Sequence, residues 1–390
     1  MPRSVSSNAS AKPVAAGLSA LLRSSAYGAP MDLGVCMASK IDDIGYAVLA
    51  EELGYSHVWA ADSQMIWSDV YAVLALVAAR TTRIKIGTGV AVAGTRQAAV
   101  TAAAHATINE IAPGRVFCGI GTGNTAMRVM GHRPMPIAEF EAHIEELRAL
   151  MDGDEAEITW RKRASKVRHV MPDAGFVAFA PRIPLYISGF GPRAMALAAK
   201  HGDGLVMSVP PHPAAVERVW GRLDAAAASV GRTLDRDRFL TATLTTMFVL
   251  EPGEAVDSDR VKEGVGAFAI AGFHYAYEQW REAGKPAGFG RYPLWDEYVA
   301  MLDECEKTDP ERLHQRIHQG HNCWVVPEEE RFVTKELIES SCMVGTAADL
   351  ADRLRALESA GLTQVMLLPP LAVKEQVLRD VATRVMPLLA

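Results

Sequence analysis

The chain has 390 residues, of which 49% are hydrophobic and 22% charged, and its formal net charge at pH 7 is −6. This allows one large domain or two ordinary ones, whereas the acidic balance excludes the basic footprint of a nucleic-acid binder. No apolar run reaches the roughly 20 residues of a membrane-spanning helix, and the five cysteines form no CxxC pair. We therefore expect a cytoplasmic protein without disulfides or a structural zinc site.

Short apolar runs alternate with helical periodicity along most of the chain. Residues 1–30, rich in Ala and Ser, are expected to form a flexible tail. A polar excursion at 152–175 interrupts the alternation. The predicted strands are 32–37, 56–60, 84–91, 116–120, 183–188, 204–208, 240–250 and 364–368. The predicted helices are 41–53, 71–80, 98–111, 137–150, 192–201, 213–230 and 373–385.

Eight strands that alternate with helices predict an α/β fold with a parallel sheet. Eight is also the number that closes a (β/α)8 TIM barrel, and an open doubly wound sheet is the structural alternative. We expect residues 31–390 to form one barrel domain, with 251–340 as a long insertion or lid between strands seven and eight. Beyond it, Thr346 and Asp349 have the spacing of a capping box.

An ordered set of motifs resembles a known family. The motifs are WAADS at 59–63, SDVY at 68–71, RIKIGTGV at 83–90, APGRV at 112–116, GIGTGN at 119–124, PLYISGFGPR at 184–193 and VGT at 344–346. Together they resemble the bacterial luciferase-like monooxygenase superfamily, in particular its methylenetetrahydromethanopterin reductase-like branch. The resemblance implies a barrel that holds reduced FMN, or the related 8-hydroxy-5-deazaflavin coenzyme, at the strand ends. Relatives are commonly homodimers, so a dimer is expected here.

The segment 188–193 ends predicted strand five and opens a helix. Glycines allow close approach of a phosphate, and a helix N-terminus supplies free N–H groups and a favourable dipole. A tight turn without a ligand is the alternative, but the family places the cofactor phosphate here. The resemblance therefore implies cofactor binding by Ser188, Gly189, Phe190, Gly191 and Arg193.

The glycine-rich stretch 119–123 resembles a dinucleotide fingerprint only weakly, because it follows the fourth predicted strand and not the first. In the family this loop lines the flavin, which makes Thr122, Gly123 and Asn124 cofactor-binding candidates. A deazaflavin-dependent sugar-phosphate dehydrogenase has a catalytic glutamate at the position matched to Asn124. Asparagine cannot act as a general acid, so that particular chemistry is not expected.

The end of predicted strand three is a further cofactor-binding candidate through Thr88, Gly89 and Val90. Relatives have a non-proline cis peptide near this point, and we assign it to Gly89–Val90, with an ordinary strand-end glycine as the alternative. Asp62 follows strand two, where many relatives have an acidic residue and a histidine. Here Ser63 replaces that histidine. Asp62 is a candidate for catalysis or cofactor binding, and equally for a turn or helix cap.

The insertion contains several histidines. His314 and His318 are four residues apart, and His321 follows, but imidazoles without carboxylates or paired thiolates are weak evidence for a metal, so no metal is expected. Substrate-facing catalytic roles for His318 and His321 compete with ordinary buried or surface positions. His274 could act as an acid or base, while its neighbour Tyr275 could equally be helix packing.

These features predict a flavin-dependent oxidoreductase acting on a small organic substrate. The leading version is a two-component monooxygenase that takes reduced FMN from a separate flavin reductase and inserts one oxygen atom. The first alternative is deazaflavin-dependent hydride transfer. The second is a barrel that binds flavin without catalysis, because a fold alone does not define a function.

Overall fold

The computed structural model describes residues 31–208, 211–290 and 292–389; the predicted tail at 1–30 lies outside them. The strands are β1 Asp32–Met37, β2 His57–Ala60, β3 Lys85–Val92, β4 Val116–Gly121, β5 Ala156–Trp160, β6 Arg163–Val167, β7 Leu185–Ser188, β8 Gly204–Met207, β9 Leu240–Thr245, β10 Met247–Val249, β11 Met343–Gly345 and β12 Gln364–Leu367. Eight of them close into a parallel barrel in the order β1-β2-β3-β4-β7-β8-β9-β12.

Helices surround the barrel and form most of the insertion. They are α1 Gly45–Glu52, α2 Val70–Arg80, α3 Ala98–Ile111, α4 Asn124–Arg128, α5 Ile137–Met151, α6 Pro192–His201, α7 Pro213–Ala228, α8 Asp259–Glu282, α9 Trp295–Thr308, α10 Leu313–Ile317, α11 Lys335–Ser341, α12 Ala347–Ser359, α13 Lys374–Asp380 and α14 Met386–Leu389. Within the described ranges, no helix combines the length and the apolar character needed to cross a membrane.

This architecture confirms the predicted (β/α)8 barrel and its long insertion between the seventh and eighth barrel strands, β9 and β12. Strands β2, β4 and β12 are buried along their whole length, as expected for a parallel sheet covered on both faces. The Thr346–Asp349 capping box is also confirmed, at the start of α12.

The predicted seventh strand, 240–250, is wrong in one respect. The barrel part ends at Thr245, which is paired with Leu367, the last residue of β12. With no barrel partner beyond that point, β10 leaves the barrel and pairs in parallel with β11. The two ends of the insertion are thereby joined in a small two-stranded sheet.

Two other segments differ in detail from the prediction. The first helix begins at Gly45 because the residues from Lys40 to Asp43 form a hydrogen-bonded turn. The polar excursion contains the antiparallel hairpin β5–β6. Its two turn residues, Arg161 and Lys162, both have positive φ angles, of 48° and 68°, as the tight turns that suit a twisted hairpin require.

The barrel interior is filled by a compact apolar cluster around Trp59, which is fully buried. Its ring lies 4.3 Å from that of Phe117, and its Nε1 donates a hydrogen bond of 2.8 Å to Oε1 of Gln364. The cluster fills the barrel interior below the C-terminal strand ends, which are the usual ligand-binding face of this fold.

Candidate cofactor and substrate site

A cavity of about 530 Å³ lies at the C-terminal ends of the barrel strands. The end of β3 and the segments after β2, β4 and β7 form one wall, and α8 with residues 321–322 of the insertion forms the other. Most of the predicted site residues line it: Asp62, Gly89, Val90, Thr122, Gly123, Asn124, Ser188, Gly189, Phe190, Gly191, Arg193 and His321. Three predicted residues, Thr88, His274 and His318, do not.

The β3 contribution to the wall is an irregular strand end. The Gly89–Val90 peptide bond is cis, which confirms that prediction, and the register of β3 against β4 shifts at this point. A Cβ atom on Gly89 would lie only 2.5 Å from Cβ of Trp59, so glycine is required here. Thr88 is fully buried, and its hydroxyl donates to the Gly119 carbonyl at 2.6 Å.

The loop after β4 turns sharply at Gly123, whose φ of 83° favours glycine. A Cβ there would lie 2.4 Å from Cγ1 of Val92. The Asn124 side chain is held by Arg128, whose Nε donates to its Oδ1 at 2.6 Å. Asn124 thus borders the cavity as a neutral, already bonded group.

The segment 188–193 has the geometry expected of a phosphate cradle. Gly191 is the N-cap of α6, and no side chain caps the helix, so its first N–H groups are free for a ligand. Arg193 is exposed and lines the cavity. No carboxylate of the described ranges lies within ion-pairing distance of its guanidinium. The site therefore offers a cation and backbone donors without an internal anion.

Asp62 is buried and fully engaged by the protein. Its Oδ2 accepts from Nη1 of Arg96 at 2.8 Å and from the Val92 N–H at 3.2 Å, and its Oδ1 accepts from Gln64 at 2.8 Å. Burial raises the pKa of the Asp62 carboxyl, and Arg96 opposes this effect. These bonds tie the loops after β2 and β3 together, whatever further role Asp62 has toward a ligand.

The histidines of the insertion are arranged differently from the pattern that the sequence suggested. His314 lies apart, against Gly131, and His274 from α8 takes its place beside His318 and His321. All three of these are buried. Only His321 faces the cavity, and burial lowers its pKa well below the ordinary value, with a further contribution from the other two imidazoles.

The sequence interpretation missed several polar residues of the insertion wall. Tyr275, considered as possible helix packing, lines the cavity with Gln279 and Asn322, and its hydroxyl lies 2.9 Å from that of Thr125. The i,i+4 spacing of Tyr275 and Gln279 on a helix was the available signal. For Asn322 no local pattern existed, because its position depends on how the insertion folds back.

The residues present fit a phosphate-bearing flavin or deazaflavin. The glycines at 89, 123 and 189 leave room that a side chain would fill, since a Cβ on Gly189 would lie 2.8 Å from Cβ of Ala194. The uncapped α6 and unpaired Arg193 suit a phosphate. Cys36, also at the cavity, is no competing nucleophile, because burial raises the pKa of its thiol to about 12.

Comparisons with known proteins agree with this geometry. A family model described as luciferase-like monooxygenase matches residues 38–364. The 5,10-methylenetetrahydromethanopterin reductase of Archaeoglobus fulgidus is 30% identical over 330 residues, 84% of this chain and 89% of the relative. An F420-dependent glucose-6-phosphate dehydrogenase of Beutenbergia cavernae is 32% identical over 180 residues, 42% of this chain and 52% of the relative.

A solved structure shares the fold. The coenzyme F420-dependent tetrahydromethanopterin reductase of Methanopyrus kandleri superposes with a TM-score of 0.67 at 20% identity, covering 93% of this chain and all of that one. The family match spans most of the chain, in agreement with the motifs of the sequence. The chain therefore belongs to the luciferase-like monooxygenase family of oxidoreductases.

Proposed function

We propose that this protein is a deazaflavin-dependent oxidoreductase that exchanges hydride with a small organic substrate. The observation that carries the proposal is the likeness, over most of both chains, to a methylenetetrahydromethanopterin reductase. The likeness to an F420-dependent dehydrogenase supports it. This reverses the order of the two versions that the sequence suggested, in which the FMN-dependent monooxygenase came first.

The barrel wall would hold the coenzyme. Arg193 and the N-terminus of α6 would bind its phosphate, and the Gly89–Val90 segment would lie against its ring. When bound, the deazaflavin supplies a hydride and, unlike reduced FMN, does not activate oxygen. The apolar side chains around the cavity, among them Val206 and Met366, would exclude water from the reacting atoms.

The insertion wall would orient the substrate. Tyr275, Gln279, His321 and Asn322 present hydroxyl, amide and imidazole groups to the cavity. Such groups fix the orientation of a small polar ligand in an otherwise apolar cavity. Asn124 cannot exchange a proton at neutral pH, so we assign no acid–base role to it, and the substrate is expected to differ from that of dehydrogenases with a glutamate there.

The FMN-dependent monooxygenase remains the second candidate because the matching family model carries that description. It requires oxygen and a supply of reduced flavin, and the expected separate flavin reductase belongs to it. A homodimer is expected for either version. The flavin reductase and the homodimer both stay predictions.

Anaerobic titration of the purified full chain, followed by cofactor fluorescence, separates the versions. We expect tighter binding of the deazaflavin than of FMN. Arg193→Ala should weaken binding at least about tenfold, since a hydrogen bond to a charged group contributes roughly 1.5–3 kcal/mol and about 1.4 kcal/mol corresponds to a factor of ten. Arg218→Ala is the matched control, because Arg218 is equally exposed and carries no ion pair within the described ranges.

Three other results would contradict the proposal. Tight binding of reduced FMN with oxygen-dependent turnover would establish the monooxygenase. Deazaflavin binding without hydride exchange toward a panel of alcohols, aldehydes and imines would favour a non-catalytic barrel. If neither cofactor binds, both oxidoreductase versions fail.

A further inference from the structure

Three buried imidazoles meet inside the insertion, next to the cavity. His274 comes from α8, and His318 and His321 come from the segment that follows α10. Their exposures are only 1%, 3% and 3%, and one ring nitrogen of each lies within 4.8 Å of the others. The mechanism proposed above uses only His321, so the grouping of the other two needs a separate explanation.

Each ring has one bonded and one unpartnered nitrogen. Nε2 of His274 lies 3.1 Å from Oε2 of Glu329, and Nε2 of His318 lies 2.8 Å from Oε1 of Glu278. Nε2 of His321 lies 3.4 Å from the Thr125 hydroxyl. The Nδ1 atoms of all three rings are buried without any hydrogen-bond partner. Three unsatisfied ring nitrogens in one buried cluster are costly unless something binds them.

The two glutamates determine which nitrogen carries the proton. A carboxylate accepts, so the Nε2 atoms of His274 and His318 donate, and in the neutral ring Nδ1 then has a free lone pair. A histidine that donates its distal N–H to a carboxylate is the common arrangement around metal ions, because that bond orients the ring and makes it a better ligand. Both glutamates are themselves buried.

We propose that His274, His318 and His321 bind one divalent zinc ion through their Nδ1 atoms. Imidazole is a preferred zinc ligand, and three histidines leave a fourth position for water or a substrate oxygen. Glu278 and Glu329 supply negative charge behind two of the rings, which they share with Arg128 and Arg316, each 3.4 Å away. Because His321 also lines the cavity, the zinc would lie at the border of that cavity, and a substrate carbonyl oxygen that takes its fourth position would be polarised.

This inference does not depend on which cofactor the barrel holds. It departs from the expectation of no metal, which rested on sequence spacing. That spacing placed His314 in the set and offered no carboxylates, whereas the fold replaces it with His274, 44 positions before His318, and adds a glutamate behind each of two rings.

The test is metal content of the full chain after chelator treatment, equilibration with zinc and gel filtration, measured by atomic emission. We expect one zinc per chain in the wild type. His318→Ala should lose it, whereas His314→Ala, a histidine of the same segment outside the cluster, should keep it. Glu278→Gln retains all three imidazoles and should weaken zinc binding about 10- to 100-fold.

Cobalt substitution provides a readout that does not rely on a variant folding. The wild type loaded with Co²⁺ should show the visible bands of a tetrahedral site with nitrogen ligands, and added zinc should remove them. A wild type that retains no zinc and shows no such bands would overturn the proposal. So would a folded His318→Ala variant that binds zinc as tightly as the wild type.

Discussion

The two walls of the cavity differ in the kinds of residue that form them. The barrel wall consists largely of backbone and small residues, with Gly89, Gly123 and Gly189 at positions where a Cβ would come within 2.4–2.8 Å of a neighbour. The insertion wall consists of longer polar side chains, such as Tyr275 and Gln279, with buried glutamates behind its histidines. One wall is shaped by close packing, and the other by polar side chains, of which some are hydrogen-bonded and some are not.

This difference separates two tasks within one site. A wall of glycines over a packed barrel offers a fixed shape that a large, flat cofactor can fit. A wall of polar side chains offers chemical groups that single substitutions can change without disturbing the barrel. Substrate selection is therefore expected to depend on the insertion, and cofactor selection on the barrel.

The largest change in the free energy of unfolding is expected for a substitution in the barrel interior. Trp59→Ala should lower the free energy of unfolding by about 4 kcal/mol, because a fully buried aromatic ring is replaced by a cavity. Chemical denaturation measures this, with Trp59→Phe as a milder control that keeps most of the packing with Phe117. A loss of unfolding free energy below about 1 kcal/mol would show that packing does not hold the barrel wall. The contrast between a packed barrel wall and a polar insertion wall would then be wrong.

A smaller loss of stability is expected at the ion pairs that join α4 to the insertion. Arg128 bonds both carboxylate oxygens of Glu282, at 2.8 and 2.9 Å, and lies 3.4 Å from Glu278. Arg128→Ala should cost roughly 2 kcal/mol, below the value for fully buried pairs because Glu282 is partly exposed. Arg128→Lys, which keeps the charge, should recover part of this loss in thermal unfolding. Unchanged stability would mean that polar pairing does not hold the insertion wall.

The smallest change in stability is expected at the opposite end of the barrel. There, the Glu51 carboxylate accepts hydrogen bonds from backbone N–H groups. Burial raises the pKa of Glu51, but bonds from the N–H groups of Ile84, Arg83 and Thr82 outweigh it and lower the pKa to about 2. The ionised group therefore stabilises the fold above about pH 4.5, and this contribution is lost as the pH falls toward 2.

Glu51→Gln should accordingly lower stability by about 1 kcal/mol at pH 7. The difference from wild type should shrink between pH 5 and pH 2, as measured by urea unfolding at each pH. Glu52→Gln is the control, since the exposed Glu52 bonds no group of the described ranges. An equal loss at every pH would show that the carboxylate charge is not what holds this turn.

The sequence predicts the location of a residue well where the order of strands along the chain determines that location. The barrel strands are short apolar runs, and the loops after them were predicted to face a ligand because strand ends share one face of a barrel. In the structure, residues 121–123 and 188–193 line the cavity, and their binding of a cofactor stays a prediction. The cis peptide at Gly89–Val90 came from the family resemblance, since no local pattern reveals it.

The insertion shows where such reasoning ends. His274 and Glu329 are 55 positions apart, and their contact depends on how α8 and the segment at 327–332 pack together. The i,i+4 rule paired His314 with His318, but α10 ends at Ile317, so helical spacing did not extend to His318. Side chains that meet only through tertiary packing have no regular spacing in the sequence, so sequence patterns cannot predict their contact.

The parallel pairing of β10 with β11 gives the insertion a closed base. Residues 247–249 and 343–345 lie side by side in parallel, so the chain between them leaves at one end of this three-residue pair and returns at the other end. The entropy cost of closing such a loop grows only slowly with its length, by about 0.6 kcal/mol for each doubling. Segments of quite different length could therefore be spliced between these two strands while the barrel beneath keeps its shape, which makes this seam the natural place to exchange one lid for another.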